Sequence, residues 1–408
     1  MQYMKKNKKL IQINTVCNGS TGTIMKHIQK KAIEKGYDTL SLYGRRKGYA
    51  DLPCAKYGSG ISFWIHVVLT TAFDAQGCGS YFYTKKLVNR LRKEQPDIIH
   101  LHNLHGYYLY LPMLFRYLKT EFKGKVVWTF HDCWPFTGHC PYFVIAECDK
   151  WKTQCYNCPN QRNYPISLFW DGSRHNYLWK KEMFTGMDNL TITCPSEWMK
   201  ERIEQSFLKD TRCVIVPNGI DFSVFYPRDN RDIADKYDIP KDKKIILGAA
   251  SIWEERKGLN DFIQLAKILP QEYVIILVGL TDQQIKKITD ENIIGIRRTE
   301  NQDELAQLYS AAIVFMNPSR EESFSLVTIE AMACGTPVIA LDYSAPKELV
   351  KAENGVLLSE TKAEYYWNAV CQLEAAKLSK KGIVDSVRQF SVANMTSEML
   401  VLYDEEEA

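Results

Sequence analysis

Runs of apolar residues alternate with stretches in which apolar positions recur at helical spacing along most of the chain. Each run is short and almost continuous, which is typical of parallel strands because helices cover both faces of such a sheet. The series pauses at Pro217-Asn218-Gly219 and the polar stretch after it. The pattern predicts an α/β protein with two Rossmann-like parallel sheets. The predicted strands lie at 8–16, 38–44, 96–103, 125–132, 190–196, 243–251, 272–279, 292–299, 312–319 and 338–342.

Capping and turn residues place helices between these strands. A glycine turn at 19–22 precedes a helix over 23–36, and Ser196 begins another helix as its N-cap. Asn301, with Glu304 three residues later, is similar to a capping box. The alternation therefore continues through both halves of the chain.

The pause in the pattern divides the chain into domains. We predict an N-terminal Rossmann-like, acceptor-side domain over 1–215, with a cysteine-rich insertion at about 133–165. A C-terminal Rossmann-like domain covers 216–385, and a helical segment over 386–408 packs back on the first domain. Open α/β sheets bind ligands at the carboxyl ends of their strands, so we expect a ligand in the cleft between the domains.

Charge and hydropathy exclude several classes of protein. The 408 residues contain 52 Lys and Arg against 48 Asp and Glu, a balance too even to favour nucleic acid as a partner. The longest apolar stretch, 61–73, contains His66 and is too short to span a bilayer. The basic opening residues lack the apolar core of a signal peptide. We therefore expect a cytoplasmic protein, in which clustered cysteines favour metal over disulfides.

The segment 318–338, PSREESFSLVTIEAMACGTPV, combines two carboxylates with a predicted helix start. Glu322 lies in the loop after a strand, and Glu330 lies inside a helix that begins near Leu326. The backbone N–H groups of Ser323 to Leu326 then form a helix N-terminus, which suits a phosphate. Carboxylates accept pairs of hydrogen bonds, as the vicinal hydroxyls of a sugar or ribose require. A solvated glutamate pair is the alternative interpretation.

This segment resembles the donor-site signature of the family 4 glycosyltransferases, which have the GT-B fold. VPNGID at 216–221 is similar to the segment with which those enzymes enter their second domain. In the N-terminal half, PDIIHLHN and TFHDCWPFTGHC resemble the branch that makes colanic acid or capsular polysaccharide. The resemblance covers most of the chain and implies a GT-B fold, with two Rossmann-like domains facing a cleft.

The resemblance also implies a reaction. It is a retaining transfer from a nucleotide-sugar donor to a growing, lipid-linked glycan of a capsule or exopolysaccharide, without a metal ion at the diphosphate. The reaction would take place in the cytoplasm or at the inner face of the membrane. Two alternatives stay open: another GT-B enzyme such as a sugar-nucleotide epimerase, and a binding subunit that has lost transfer activity.

Roles at the donor follow from the same resemblance. Glu322 contacts donor-sugar hydroxyls and Glu330 contacts the ribose, while Lys257 balances the phosphate charge. The family has Gly-Arg shortly before this lysine, whereas this chain has Ser251-Ile252. Arg256 either replaces the missing arginine or is a solvated neighbour. The loop and backbone amides around the diphosphate are those of Ser323, Phe324, Ser325 and Leu326.

The N-terminal half supplies further candidates. The family counterpart of His131 lies beside the donor sugar, where an imidazole could hydrogen-bond a hydroxyl or move a proton. The glycine loop that contains Gly22 faces the diphosphate and acceptor in similar enzymes. His102 and Asn103 are acceptor-side candidates, and His100 should share a face of its strand with His102. A metal site in the run 100–105 is a weaker alternative.

Four cysteines fall within twenty residues: Cys140, Cys148, Cys155 and Cys158. Their number suits a structural zinc ion, although only Cys155 and Cys158 have a familiar spacing, and His139 or Cys133 could replace one ligand. Because the segment is irregular, a metal would hold it in shape. The alternative is a group of small buried thiols. The resemblance implies that catalysis itself requires no cofactor.

The region 61–87 joins the apolar stretch to a segment that is rich in glycine and aromatic residues and ends with two lysines. Such a segment could contact a membrane surface or a lipid-linked acceptor. An ordinary helix and loop is the alternative.

Overall fold

A computed structural model describes residues 7–228 and 231–405, with the side chains of 231 and 232 left out. The chain forms two compact units, one of Met1–Pro217 with Met395–Ala408 and one of Asn218–Asn394. The chain thus returns to the first unit nine residues later than the predicted boundary between 385 and 386.

The first unit is built on a parallel sheet that has seven strands within the described residues, in the order β3-β2-β1-β4-β5-β6-β7. Its strands are β1 Lys9–Val16, β2 Asp38–Arg45, β3 Cys54–Lys56, β4 Ile98–Leu101, β5 Lys125–Thr129, β6 Leu190–Cys194 and β7 Cys213–Ile215. Its helices are α1 Gly19–Glu34, α2 Gly60–Phe73, α3 Tyr81–Glu94, α4 Leu111–Thr120, α5 Ser173–Phe184 and α6 Glu197–Glu204, with 3-10 helices at Trp134–Phe136 and Lys150–Lys152.

The second unit repeats the arrangement with six parallel strands among the described residues, in the order β10-β9-β8-β11-β12-β13. Its strands are β8 Lys244–Ala249, β9 Tyr273–Val278, β10 Ile293–Ile296, β11 Val314–Asn317, β12 Val338–Leu341 and β13 Gly355–Leu358. Its helices are α7 Arg231–Lys236, α8 Leu259–Ala266, α9 Asp282–Lys287, α10 Gln302–Ala311, α11 Leu326–Ala333, α12 Pro346–Leu349, α13 Ala363–Ala376 and α14 Lys380–Val387, with a 3-10 helix at Glu255–Lys257.

The prediction of two doubly wound parallel sheets is confirmed, and the strand order explains where each unit offers a site. In the first sheet the connection after β1 leads to β2 on one side, whereas the connection after β4 leads to β5 on the other side. The second sheet has the same reversal, with connections that lead from β8 to β9 and from β11 to β12 in opposite directions. A crevice forms at the carboxyl ends of such a strand pair. The ten predicted strands are all present, whereas the short strands β3, β7 and β13 were not predicted.

The last helix, α15 at Val392–Asp404, ends in the first unit. Met395 and Met399 join a buried cluster with Leu10 of β1 and Ile28 of α1. Lys125 Nζ donates a hydrogen bond to the carbonyl oxygen of Leu402, at 2.7 Å. Apolar burial and a capped carbonyl thus attach the end of the chain to the first sheet.

The glycine turn predicted at 19–22 is wrong, because Gly19–Glu34 is one helix. Gly22 lies buried in its first turn, where a Cβ atom would stand 2.3 Å from the carbonyl carbon of Cys17. Gly22 therefore lets the helix approach the end of β1. Within the described residues, no helix combines the length and the apolar composition that crossing a bilayer requires.

Candidate functional site

The strongest candidate site lies at the reversal point of the second sheet. Strand β8 ends at Ala249 and its neighbour β11 ends at Asn317. The loop after β8 carries Arg256 and Lys257, and the loop after β11 carries Glu322. The topology thus brings the adjacent residues Arg256 and Lys257 close to Glu322, which follows Lys257 by 65 positions in the sequence.

An ion pair joins the two loops, between Lys257 Nζ and a carboxylate oxygen of Glu322. The two side chains are only 18% and 14% exposed. Burial favours the neutral form of Glu322, but the charges of Lys257 and Arg256 outweigh it and lower the pKa of that carboxyl. The backbone N–H of Glu322 donates to Ser344 Oγ at 3.0 Å, which fixes the loop. An ionised carboxylate and an ammonium group are therefore held at the edge of the sheet.

Arg256 belongs to the same cluster. Its Nη1 donates to the carbonyl oxygen of Glu321 at 3.0 Å, and its Nε lies 3.3 Å from a carboxylate oxygen of Glu254. The side chain is 15% exposed, so the alternative of a solvated neighbour is wrong. Beside it, the guanidinium group of Arg320 pairs with Asp261. The two loops are therefore tied together by charged groups.

The helix N-terminus predicted in this segment is present. Helix α11 begins at Leu326, with Ser325 as N-cap in the left-handed region at φ 87°. Ser325 Oγ accepts a hydrogen bond from Asn317 Nδ2 at 2.9 Å, which holds the strained residue in place. Phe324 is buried against Phe390, so only its backbone can face a ligand. The side chains of Phe324 and Ser325 therefore anchor this loop at the start of α11.

Glu330 lies in the second turn of α11. Its carboxylate accepts a hydrogen bond from Tyr309 Oη at 3.1 Å. Burial raises the pKa of Glu330 to about 7. This carboxyl therefore changes charge near neutral pH, unlike Glu322.

In the first unit, His131 follows β5 and His102 follows β4, two neighbouring strands. Their rings stack, with His102 Nδ1 lying 3.2 Å from His131 Nε2. Gln12 Nε2 donates to the carbonyl oxygen of Met25, so Gln12 Oε1 accepts from His102 Nε2 at 3.1 Å. His102 Nδ1 is then an acceptor, and the proton of His131 lies on Nε2. Burial lowers the pKa of His131 to about 4, so the ring is neutral at pH 7.

Asn103 lies beside these histidines, after β4. Its backbone N–H donates to Asn14 Oδ1 at 3.2 Å, and its carbonyl oxygen accepts from Thr15 Oγ1 at 2.9 Å. His100 and His102 share a face, with ring centroids 4.1 Å apart, as predicted. His100 contacts Tyr403 and Thr129. Both ring nitrogens of His100 therefore make hydrogen bonds in the core. Among the described residues, the histidines at 100–105 do not form a metal site.

The four predicted cysteine ligands lie around one small pocket. Cys140, Cys148, Cys155 and Cys158 line it together with His139. Within the described part of the chain, however, no three His, Cys, Asp or Glu residues are arranged to hold a metal ion. Cysteine and histidine side chains are suitable zinc ligands, but these residues are not arranged to hold a metal ion. The structural zinc ion therefore stays a prediction.

The cysteine segment has a core of its own, contrary to the expectation that it needs a metal to hold it. Trp134, Phe136 and Trp151 are almost completely buried in it. Lys180 Nζ donates to the carbonyl oxygens of Trp134 and Thr137, at 2.8 and 2.9 Å. Aromatic burial and these hydrogen bonds stabilise the segment without a metal.

Several residues of the site were not predicted from the sequence. Tyr309 reaches Glu330 from α10, and no spacing in the sequence connects the two. Ser344 follows β12, the strand next to β11, so the rule that neighbouring strand ends meet could have identified it. Gln12 fixes His102 from the interior of β1, where a buried polar residue was the available signal.

Comparison with known families matches both units. A family model described as "Glycosyltransferase Family 4" matches residues 49–224, and one described as "Glycosyl transferases group 1" matches residues 243–375. The matched regions do not overlap and together cover most of the sequence.

Individual relatives match over nearly the whole length. WcaC of Escherichia coli (strain K12), whose name assigns it provisionally to colanic acid biosynthesis as a glycosyl transferase, is 22% identical over 97% of this chain and 96% of its own. The sucrose-phosphate synthase of Thermosynechococcus elongatus has a TM-score of 0.72 at 18% identity, covering 97% of this chain and 98% of its own. HepE of Anabaena in complex with UDP-glucose has a TM-score of 0.65 at 15% identity, covering 97% and 98%.

Proposed function

Since the chain belongs to the family 4 glycosyltransferases of the GT-B fold, we propose that it moves a sugar from a nucleotide-sugar to a growing, lipid-linked glycan. The observation that carries the donor half of this proposal is the Lys257–Glu322 ion pair beside the N-terminus of α11. It combines a cation and a helix terminus for the diphosphate with a carboxylate for sugar hydroxyls. HepE, which has a similar fold, has a crystal structure in complex with UDP-glucose.

The donor diphosphate would lie against the amides of Ser323 to Leu326. As the bond from sugar to phosphate breaks, negative charge grows on the leaving phosphate, and Lys257 and Arg256 would stabilise it. The pairing of Lys257 with Glu322 supports this role, because it holds the ammonium group at the site before the donor arrives. No metal ion is then required at the diphosphate.

Glu322 and Glu330 would bind hydroxyls of the sugar and the ribose. Ionised Glu322 can accept two hydrogen bonds, and Glu330 follows it in the second turn of α11. His131 would contact the sugar as a neutral ring that accepts a hydrogen bond, because its proton lies on Nε2 and its pKa of about 4 excludes an imidazolium at pH 7. We assign retention of configuration to this reaction.

On the acceptor side, we propose that Asn103 borders the position of the incoming hydroxyl, whereas His102, which is buried with both ring nitrogens engaged, positions His131. His102 and Asn103 both follow β4 at the reversal point of the first sheet, and the stacked ring of His131 lies beside them. We propose a glycan of a capsule or exopolysaccharide as acceptor, elongated at the cytoplasmic face of the membrane, in keeping with the relative named for colanic acid.

Release of nucleoside diphosphate tests the proposal. The full chain is incubated with a panel of nucleotide-sugars, with and without lipid-linked saccharide, and the anomeric configuration of the product is read by NMR. We expect acceptor-dependent release and a retained configuration. Glu322→Gln, Lys257→Ala and His131→Ala should each reduce turnover strongly, whereas full turnover in all three would contradict the site.

The same assay separates the alternatives. An epimerase would change the sugar of the nucleotide-sugar without an acceptor. A binding subunit would bind the nucleotide-sugar and release nothing.

A further inference from the structure

Helix α2 presents its apolar face to solvent and buries polar residues. Ile61, Trp64, Ile65 and Val68 follow the i, i+3, i+4, i+7 spacing that usually faces a core. They are instead 55% to 76% exposed, and its two buried residues are His66 and Thr70. A helix that exposes this much apolar surface marks an interaction site. The exposed apolar residues of the helix are Ile61, Trp64, Ile65, Val68 and Phe73.

Two neighbouring segments extend this face. Ser62 Oγ lies 3.0 Å from Ser80 Oγ, which joins α2 to the first turn of α3, where Phe82 is 77% exposed. Leu168 donates its backbone N–H to the carbonyl oxygen of Thr71 at 2.8 Å, which places the loop 166–170 beside the end of α2. We call the exposed apolar residues of α2, of the first turn of α3 and of this loop the aromatic patch.

The loop is itself unusually apolar for a surface segment. Phe169 is 82% exposed and Trp170 is 64% exposed. Ser167 Oγ donates to the carbonyl oxygen of Trp170 at 2.6 Å, so the aromatic residues protrude from a hydrogen-bonded loop. A continuous apolar surface of this kind marks an interaction site in a folded protein.

Basic residues border the aromatic patch. The Arg45 guanidinium lies 4.4 Å from the ring centroid of Phe63 on α2. Lys85 and Lys86 are exposed one turn after Phe82 on α3. The sequence 45–93 contains nine Lys and Arg against two Asp, and one of those, Asp74, is buried. The surroundings therefore favour a partner with negative charge.

We propose that the aromatic patch docks the protein on a bilayer surface with anionic headgroups. Trp and Phe side chains would insert at headgroup level while the basic residues meet the lipid phosphates. Helix α2 has 14 residues, about 21 Å at 1.5 Å per residue, so it lies in the interface and does not cross it. A second copy of the chain suits the patch poorly, because a symmetric contact would bring the same basic residues together.

Vesicle sedimentation of the full chain, without nucleotide-sugar, tests this docking independently of any transfer reaction. Vesicles of phosphatidylcholine with phosphatidylglycerol are compared with phosphatidylcholine alone, at low and high salt. We expect binding to the anionic vesicles that weakens in salt. The double variant Trp64→Gln/Phe169→Gln should bind about fivefold or more weakly, since it removes inserted apolar area.

Val401→Gln is the matched control, because Val401 is a 60% exposed apolar residue on α15 of the same unit. It should bind vesicles as the unchanged chain does. Thermal unfolding checks that the double variant is folded. The proposal is overturned if the chain stays in the supernatant, if the double variant sediments like the unchanged chain, or if size-exclusion chromatography shows a dimer that the double variant dissociates.

Discussion

The ammonium group of Lys257 pairs with the carboxylate of Glu322 across two loops that follow neighbouring strands, β8 and β11. Each group would be costly to bury alone, and each keeps the other charged. The pair therefore prepares a site at the reversal point of the sheet.

The mutual dependence of the pair can be measured by a double-mutant cycle. We expect Lys257→Ala to lower the free energy of unfolding by roughly 3 kcal/mol, because it leaves a buried carboxylate without its counter-charge. The double variant Lys257→Ala/Glu322→Gln should recover part of that loss, with a coupling of at least about 1 kcal/mol. Urea unfolding supplies the values. Lys286→Ala with Glu353→Gln, two exposed positions, should show additive effects, and an additive result for Lys257 and Glu322 would refute the pairing.

Glu330 makes donor affinity depend on pH near neutrality. Its pKa of about 7 means that its charge grows between pH 6 and 8, and an ionised carboxylate binds ribose hydroxyls more tightly than a neutral one. We expect the affinity for the released nucleoside diphosphate to rise about fivefold over this range, from a difference of about 1 kcal/mol. Calorimetry at several pH values measures it. Glu330→Gln should flatten the rise, and an unchanged profile in that variant would exclude Glu330 as its cause.

Buried histidines should make the fold sensitive to acid. Burial lowers the pKa of His100 to about 3 and holds that of His102 well below its ordinary value. Below about pH 6.5 these histidines bind protons in the unfolded chain but not in the folded chain. The free energy of unfolding therefore keeps its full value above that pH and falls as the pH decreases. By pH 5 the burial of His100 lowers the free energy of unfolding by about 2 kcal/mol, and that of His102 lowers it in the same direction.

Urea unfolding at pH 7 and pH 5 checks this loss. His100→Gln should reduce the difference between the two pH values, whatever its effect at pH 7. His175→Gln changes an exposed histidine and should leave the difference as it is. Equal losses in both variants would mean that His100 does not carry the effect.

Metal analysis of the purified chain tests the cysteine pocket. The sequence predicts about one zinc ion per chain, and the four thiols line one pocket with His139, although among the described residues they are not arranged to hold a metal ion. Chelation should then lower the melting temperature, and Cys158→Ser should remove both the zinc and the effect of the chelator. Because the segment also has an aromatic core, we expect it to stay folded without the ion. A native chain free of metal, with a melting temperature that chelators do not change, would reject zinc in favour of buried thiols.

Both sheets and the segment 318–338 could be predicted from the sequence, because near-continuous apolar runs and capping residues act locally. The short strands β3 and β7 could not, since each has three residues and little apolar periodicity. Gly22 was misassigned because a glycine that permits close helix packing has the same sequence pattern as one in a turn. The contribution of Trp134 and Lys180 to the cysteine segment depends on long-range packing that no spacing encodes.

The site was predictable to a similar degree. Motif residues such as Lys257 and Glu322 could be named, whereas their pairing depends on the order of strands in the sheet. The partners Tyr309 and Gln12 come from other elements and become visible only in three dimensions.

Calorimetric titration of nucleotide-sugar and of nucleoside diphosphate tests the donor site most directly. We predict that Lys257→Ala lowers the affinity for both ligands about tenfold or more, because it removes the positive charge that binds the diphosphate. Glu322→Gln should lower the affinity for nucleotide-sugar more than that for nucleoside diphosphate, because Glu322 contacts the sugar and also holds Lys257 in place. Lys286→Ala and Glu353→Gln should change neither affinity. If Lys257→Ala and Glu322→Gln bind both ligands as tightly as the unchanged chain, the pair is not the donor site and the account is contradicted.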